Sequence, residues 1–222
     1  MKISSGSQVL DSLLEGGYST GMLNTIYGPA ASGKTTCCFL ATISCHKQGK
    51  KTIFIDTENG FNVERIKQLT PDYKRVLESV ILLKVDSFIQ QTRKFEFLAK
   101  MFPNARIGLV IVDTIGAQYR AARKDDIRSV NQELADQINV LRQIYKKTNT
   151  AVLITDQVYA NLDKENSVGM VGGEVVKNQS RTIIQLQCGH KNKRNAILEK
   201  SEDLEVPREV NFKIIQEGFI PL

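Results

Sequence analysis

Only two histidines occur among the 222 residues, His46 and His190, and they furnish no partner set for a zinc site. The four cysteines, Cys37, Cys38, Cys45 and Cys188, include no Cys-x-x-Cys pair, which argues against a disulfide framework or a metal knuckle and suits a reducing compartment. No stretch approaches the roughly 18 to 20 apolar residues of a membrane span, and MKISSGSQVLDSLL lacks a run of signal-peptide length, so a cytoplasmic chain without membrane attachment is expected. No Pro/Gly/Ser-rich linker, internal repeat or low-complexity tract divides the chain. With 41% hydrophobic residues it can bury one substantial core, and a single domain over 1–222 is expected. The charge excess is small, 30 Lys+Arg against 24 Asp+Glu, which permits a polyanionic partner without requiring one.

Apolar periodicity supplies an alternating order of elements. A strand at 22–27 leads through a glycine-containing loop into a helix that carries Cys37, Cys38 and Cys45, read as small core residues. KTIFID (51–56) is a strand before a helix around 63–69, and VILLKV (80–85) is the next strand. Ser87 with Gln90 makes a capping box for a helix to about 102, and Ser129 with Gln132 makes a second one, although Asp126 also suits the start of that helix. Between them IGLVIVD (107–113) is almost continuously apolar, as in a parallel strand covered on both faces. Leu134, Ile138, Leu141 and Tyr145 form one helical stripe, and TAVLITD (150–156) is a further buried strand. Beyond these, 181–187, 194–199 and 209–215 are short strands without helix-length connections. The expected fold is α/β, a mainly parallel sheet flanked by helices with a C-terminal antiparallel extension.

Residues 28–35, GPAASGKT, fit the phosphate-loop pattern G-x-x-x-x-G-K-[ST] and sit between a predicted strand and a predicted helix, the context this pattern needs. Gly28, Pro29, Ala30, Ala31, Ser32, Gly33, Lys34, Thr35 and Thr36 are therefore the candidate nucleotide contacts, with ATP as the expected ligand. Glycines let backbone N–H groups approach phosphate oxygens, and the following helix presents its positive end. Lys34 would reach the β- and γ-phosphates, and Thr35 and Asp113 would hold Mg²⁺. For the group that orients and polarises the attacking water, Glu58 and Asp56 both stand near the end of the second strand, and pattern does not separate them.

At this point the chain resembles a known family. MKISSGSQVLDSLLEGGYSTGMLNTIYGPAASGKT, FIDTEN, LVIVDTIGAQYR, VLITDQV and the later VGG are similar, in order and spacing, to the ATPase core of the RecA-type recombinases of archaea and eukaryotes. The likeness runs through essentially the whole chain. It implies a RecA-like fold, places Glu58 at the water-activating glutamate, and makes Gln157 the glutamine that senses the γ-phosphate. Two departures accompany it. Ala31 stands where the family carries an arginine, and neither an N-terminal helical domain nor a Phe-x-x-Ala plug is visible. Strand exchange by a long filament is accordingly not expected, whereas pairing with a main recombinase such as RadA is.

The resemblance also implies two DNA-facing loops. The first falls in QYRAARKDDIRS, where Arg120, Arg123, Lys124 and Arg128 offer phosphate contacts, or form a solvated loop diluted by Asp125 and Asp126. The second, VYANLDKENSVGMVGG, has Lys164 as its sole basic residue, and its Tyr159 could stack on a base or simply pack. A separate basic cluster, HKNKR at 190–194, projects Lys191, Lys193 and Arg194 between two strands, as a phosphate-binding or a merely solvated turn.

The reading is a DNA repair and homologous recombination accessory protein that binds ATP, Mg²⁺ and DNA, single-stranded by preference and without sequence specificity. Its ATPase activity is expected to be weak. The rival is a protein-interaction module of the recombination machinery, with RadA or a junction nuclease as partner and incidental hydrolysis. Self-association into a homo-oligomer stays open in both.

Overall fold

Isoleucine, leucine and valine follow one another in IGLVIVD because that strand is covered on both faces. In the computed structural model, which describes residues 1–101, 106–122, 126–160 and 168–222, Leu109 and Ile111 point into one apolar cluster while Val110 and Val112 point into another. The same period of two divides the neighbouring strands, with Phe54 opposed to Ile53 and Ile55, and Leu153 opposed to Val152 and Ile154.

Along the chain come β1 (Lys2–Ile3), α1 (Gln8–Leu13), β2 (Tyr18–Ser19), β3 (Leu23–Gly28), α2 (Lys34–Lys47), β4 (Lys51–Asp56), α3 (Val63–Leu69), α4 (Tyr73–Glu78), β5 (Val80–Lys84), α5 (Phe88–Met101), β6 (Ile107–Asp113), α6 (Gly116–Ala122), α7 (Ile127–Thr148), β7 (Ala151–Ala160), β8 (Val168–Met170), α8 (Gly173–Gln179), β9 (Thr182–Cys188), β10 (Lys193–Lys200), β11 (Arg208–Ile215) and β12 (Gly218–Pro221). The main sheet has the order β12-β11-β10-β9-β3-β7-β6-β4-β5, with β8 paired to β7. From β9 to β5 neighbours are parallel, and from β9 to β12 they are antiparallel. This is a RecA-like α/β fold. One detail differs from the sequence expectation: segment 181–187 joins β3 in parallel, because α8 intervenes and returns the chain to the same end of the sheet.

Helix α2 packs on one face and α7 on the other. Cys37, Cys38 and Cys45 of α2 are fully buried there as expected, and burial pushes their thiols up in pKa. Cys188, at the end of β9, is exposed. On α7 the stripe Leu134, Ile138, Leu141 and Tyr145 is buried together with Ile144.

The two capping boxes resolve differently. Ser87 accepts from the Gln90 N–H at 3.3 Å, while the Gln90 side chain accepts from Asp86 rather than from Ser87. The Ser129–Gln132 box lies inside α7. Extended Asp126 (φ −139°) caps that helix instead, accepting from Arg128 and Ser129, since a carboxylate at the positive helix end outcompetes a hydroxyl one turn later. Helices α1, α4, α6 and α8 were not anticipated, being too short to show a period. Among the described residues no helix is long and apolar enough to cross a membrane.

Candidate functional site

Strand register performs the first assembly. Gly28 lies beside Gln157 in the parallel β3–β7 pair, and Asp56 beside Asp113 in the β4–β6 pair. Four positions distant in sequence thereby meet at the carboxyl edge of the sheet, where open α/β folds bind ligands.

From Gly28 the chain turns through 29–33 and enters α2 at Lys34. A Cβ on Gly28 would stand 2.4 Å from the Leu186 carbonyl oxygen, so only glycine fits. Ala31 (φ 58°) and Gly33 (φ 108°) take left-handed conformations of the kind that curl backbone N–H groups into an anion-binding concavity. Lys34, 7% exposed, donates to the Gly28 and Pro29 carbonyls at 2.8 Å each. Burial lowers its pKa, and the carboxylates of Asp113, Glu58 and Asp156 oppose that effect. Ser32 is buried beneath the loop, while Ala30, Ala31, Gly33, Thr35 and Thr36 line a cavity of about 610 Å³.

Thr35 Oγ1 donates to Asp113 Oδ2 at 2.8 Å, and Thr155 donates to the other Asp113 oxygen. Burial raises the Asp113 carboxyl, with the two hydroxyl bonds and Lys34 pulling it down. This pair of oxygens beside the loop fits a hard cation of the Mg²⁺ type. Among the described residues no group of three or more His, Cys, Asp or Glu could hold a metal ion.

The structure separates the rival carboxylates. Asp56 is buried and accepts from the N–H groups of Glu58, Gly60 and Phe61, so it is committed to shaping the turn after β4. Glu58 is exposed at the cavity and accepts from the Gln157 side-chain amide. Desolvation by the cavity walls raises its pKa, reinforced by Asp113 and Asp56 and opposed by Lys34 and Arg120.

Next to Gln157, Asp156 is fully buried and accepts from the N–H groups of Gln157 (2.9 Å) and Gly172 (2.8 Å). Burial, the largest influence, pushes its carboxyl up to about 7. Sequence reading passed over this residue, and no local pattern could have singled it out. It also missed Arg65, Asn192, Ile214, Ile215 and Gln216, which form the far wall of the cavity together with Arg194, the residue expected at DNA. Arg65 is held flat there by the carbonyls of Gln216 (2.8 Å) and Ile215 (3.0 Å).

The expected DNA contacts disperse. Arg120 is exposed on α6 and borders a smaller cavity of about 200 Å³ that includes Glu58 and Gln157. Arg128 is exposed on the first turn of α7, and Arg123 and Lys124 lie outside the described residues. So does Lys164 of the second loop, whose ends pair as β7 and β8. Tyr159 is 43% exposed but lies against Gly169, where a Cβ would come within 2.8 Å of its ring, which favours packing over a free stacking surface. In the third cluster Lys191 (φ 53°) and Asn192 (φ 64°) form a two-residue primed turn that leaves Lys191 and Lys193 exposed. Arg194 departs from the expectation. Its guanidinium bonds to the Ala31 carbonyl at 3.2 Å, because a side chain one residue past the turn points back along the hairpin toward the phosphate loop.

Comparison with known proteins agrees with this geometry. A family model described as Rad51 matches residues 1–221. The chain is 33% identical over 219 residues to the DNA repair and recombination protein RadB of Methanobrevibacter smithii, covering 95% of this chain and 92% of that one. It is 35% identical over 217 residues to the protein of the same name from Methanococcoides burtonii, covering 96% and 95%. A solved structure, that of the RadB recombinase, matches with a TM-score of 0.85 at 30% identity over 99% of both chains.

Proposed function

The chain belongs to the Rad51 family, and on that premise we propose that it is a DNA repair and recombination protein in which ATP and Mg²⁺ control binding to DNA. It hydrolyses ATP weakly, acts in the cytoplasm as one ATPase domain over 1–222, prefers single-stranded DNA without reading sequence, and assists a main recombinase of the RadA kind. One observation carries the reading: the Glu58–Gln157 bond beside the phosphate loop, which joins a water-activating carboxylate to the strand that leads into a DNA-facing loop.

In this reading the loop N–H groups and the start of α2 take the β- and γ-phosphates, and Lys34 turns from the Gly28 and Pro29 carbonyls to them. Thr35 and Asp113 would hold Mg²⁺, which when bound would supply charge neutralisation for the transferred phosphoryl group. Glu58, its carboxyl made more basic by desolvation, orients water and accepts its proton. Gln157 exchanges its hydrogen bond to Glu58 for one to the γ-phosphate, and this displaces β7 and β8 at the root of the second loop. Arg120, Arg123, Lys124, Arg128, Lys191 and Lys193 contribute phosphate contacts to DNA.

Single-stranded DNA affinity measured with and without ATP and Mg²⁺, alongside phosphate release, on the unchanged protein and Lys34→Ala, tests the proposal. Nucleotide-dependent DNA affinity that disappears in Lys34→Ala is expected, and DNA affinity indifferent to ATP in both proteins would overturn it. A second reading, a protein-interaction module, draws on exposed Ile89 and Phe97 of α5 beside the terminal strand β5. Retention of a recombinase or junction nuclease by a Glu58→Gln protein that binds no DNA would favour that reading.

A further inference from the structure

Within residues 28–36 Lys34 is the sole charged side chain, although a nucleoside triphosphate brings several negative charges to the loop. A second cation reaches the loop from a distant part of the chain. Arg194, near the start of β10, donates from Nη2 to the Ala31 carbonyl at 3.2 Å and from Nη1 to the Lys193 carbonyl at 2.9 Å. These two bonds hold the guanidinium against the rim of the nucleotide cavity, which Asn192 and Arg194 help to line.

The anchoring is firm on both sides. Arg194 is paired with Cys188 on β9 and with Phe212 on β11, so its backbone sits inside a three-stranded antiparallel ladder, and Phe212 is fully buried. The two-residue turn at Lys191 and Asn192, both left-handed, allows no slack between β9 and β10. On the loop side, Ala31 occupies a left-handed conformation that is costly for a non-glycine residue. A charge-assisted bond to its carbonyl opposes that cost and, with the Ser32 N–H bonded to the Pro29 carbonyl, fixes the Ala31–Ser32 peptide from both sides.

We propose that Arg194 is a positioning residue of the phosphate loop and a fixed positive charge beside the triphosphate site, so that Arg194, unlike Lys191 and Lys193, belongs to the nucleotide-binding machinery rather than to a DNA surface. This rests on the reading that the cavity takes ATP. The dependence on phosphate number follows directly: Arg194 should matter for a triphosphate and little for a monophosphate.

Titration of fluorescent ATP and AMP analogues with Mg²⁺ into the full chain tests this, comparing the unchanged protein, Arg194→Ala, Arg194→Lys and Lys34→Ala. Arg194→Ala is expected to weaken ATP binding about tenfold, to leave AMP binding within about twofold, and to shrink the rise in unfolding temperature that ATP produces. Arg194→Lys should recover part of the loss, because it returns the charge without the two-pronged hold. Equal ATP affinity in Arg194→Ala and the unchanged protein, with Lys34→Ala impaired, would overturn the proposal alone. A matched loss of ATP and AMP binding together with a lower unfolding temperature without nucleotide would also overturn it, leaving Arg194 a merely structural residue. Weakened DNA binding without nucleotide, at intact ATP affinity, would return Arg194 to the DNA surface. If the unchanged protein and Lys34→Ala both fail to bind ATP, the nucleotide reading falls and the proposal with it.

Discussion

The side-chain amide of Gln157 donates to the carboxylate of Glu58, linking the end of β7 to the turn that follows β4. The two residues stand 99 positions apart in the chain and meet because β4, β6 and β7 are consecutive parallel strands. Each therefore limits where the other can go, and a change of partner by Gln157 alters the environment of Glu58 at once.

Glu58→Gln removes the proposed proton acceptor and keeps the side chain's size and its ability to accept from Gln157. Turnover of ATP is expected to fall by a factor of about 10² to 10⁴ while nucleotide affinity stays within a few-fold. Steady-state phosphate release combined with a binding titration separates the two quantities, and undiminished turnover would remove Glu58 from this role.

Stability should decline as pH rises toward neutrality. The Asp156 carboxyl sits at about 7 in the folded chain against an ordinary value near 4, so between those values the native state keeps a proton that the unfolded chain has released. Stability is then highest at the acid end of this window and is lost through pH 7, by an amount on the order of 2–4 kcal/mol. Glu58 and Asp113, also raised, act in the same sense. Urea midpoints from pH 5 to 7.5 should show the decline and Asp156→Asn should flatten it; parallel curves would exclude Asp156 as the source.

Phe54→Ala opens a hole at the centre of the α2 side. The ring is fully buried, with centroids 5.8 Å from Phe39 and 5.0 Å from Phe61. A loss of about 3–5 kcal/mol in equilibrium denaturation is expected. Phe61 also donates its N–H to Asp56, so the turn that carries Glu58 should loosen in the same variant.

Asp126→Ala deletes the cap of α7 and should cost about 0.5–2 kcal/mol in urea denaturation. Ser129→Ala, which alters only the box read from sequence, should be nearly silent. Equal losses would restore Ser129 as the cap.

Lys191 and Lys193, if they contact DNA phosphates, govern its salt dependence. The slope of log affinity for single-stranded DNA against log salt should shrink by roughly 0.7 for each lysine replaced by alanine. An unchanged slope in the double variant would leave the turn a solvated hairpin tip.

Much of the architecture was legible because long buried strands and long amphipathic helices impose a period on composition. IGLVIVD and the α7 stripe were readable for that reason. Asp126 against Ser129 shows the limit: both suit a cap, and the choice depends on which residue is extended when the helix docks. The phosphate loop was equally plain, since its chemistry is local and needs glycines and a lysine at set intervals.

Local chemistry, then, was determined by the sequence alone: the anion-binding loop, the hydroxyl and carboxylate suited to Mg²⁺, and the candidate water-activating acids. Tertiary structure decided what each group faces. It committed Asp56 to backbone N–H groups and left Glu58 open, buried Asp156 beside the glutamine, set Arg65 in the far wall, and turned Arg194 from an apparent surface charge into a neighbour of Ala31. The reason is physical. A motif constrains residues joined by a few peptide bonds, whereas the partner of a charged side chain is chosen by strand order and register, which bring together segments more than a hundred residues apart.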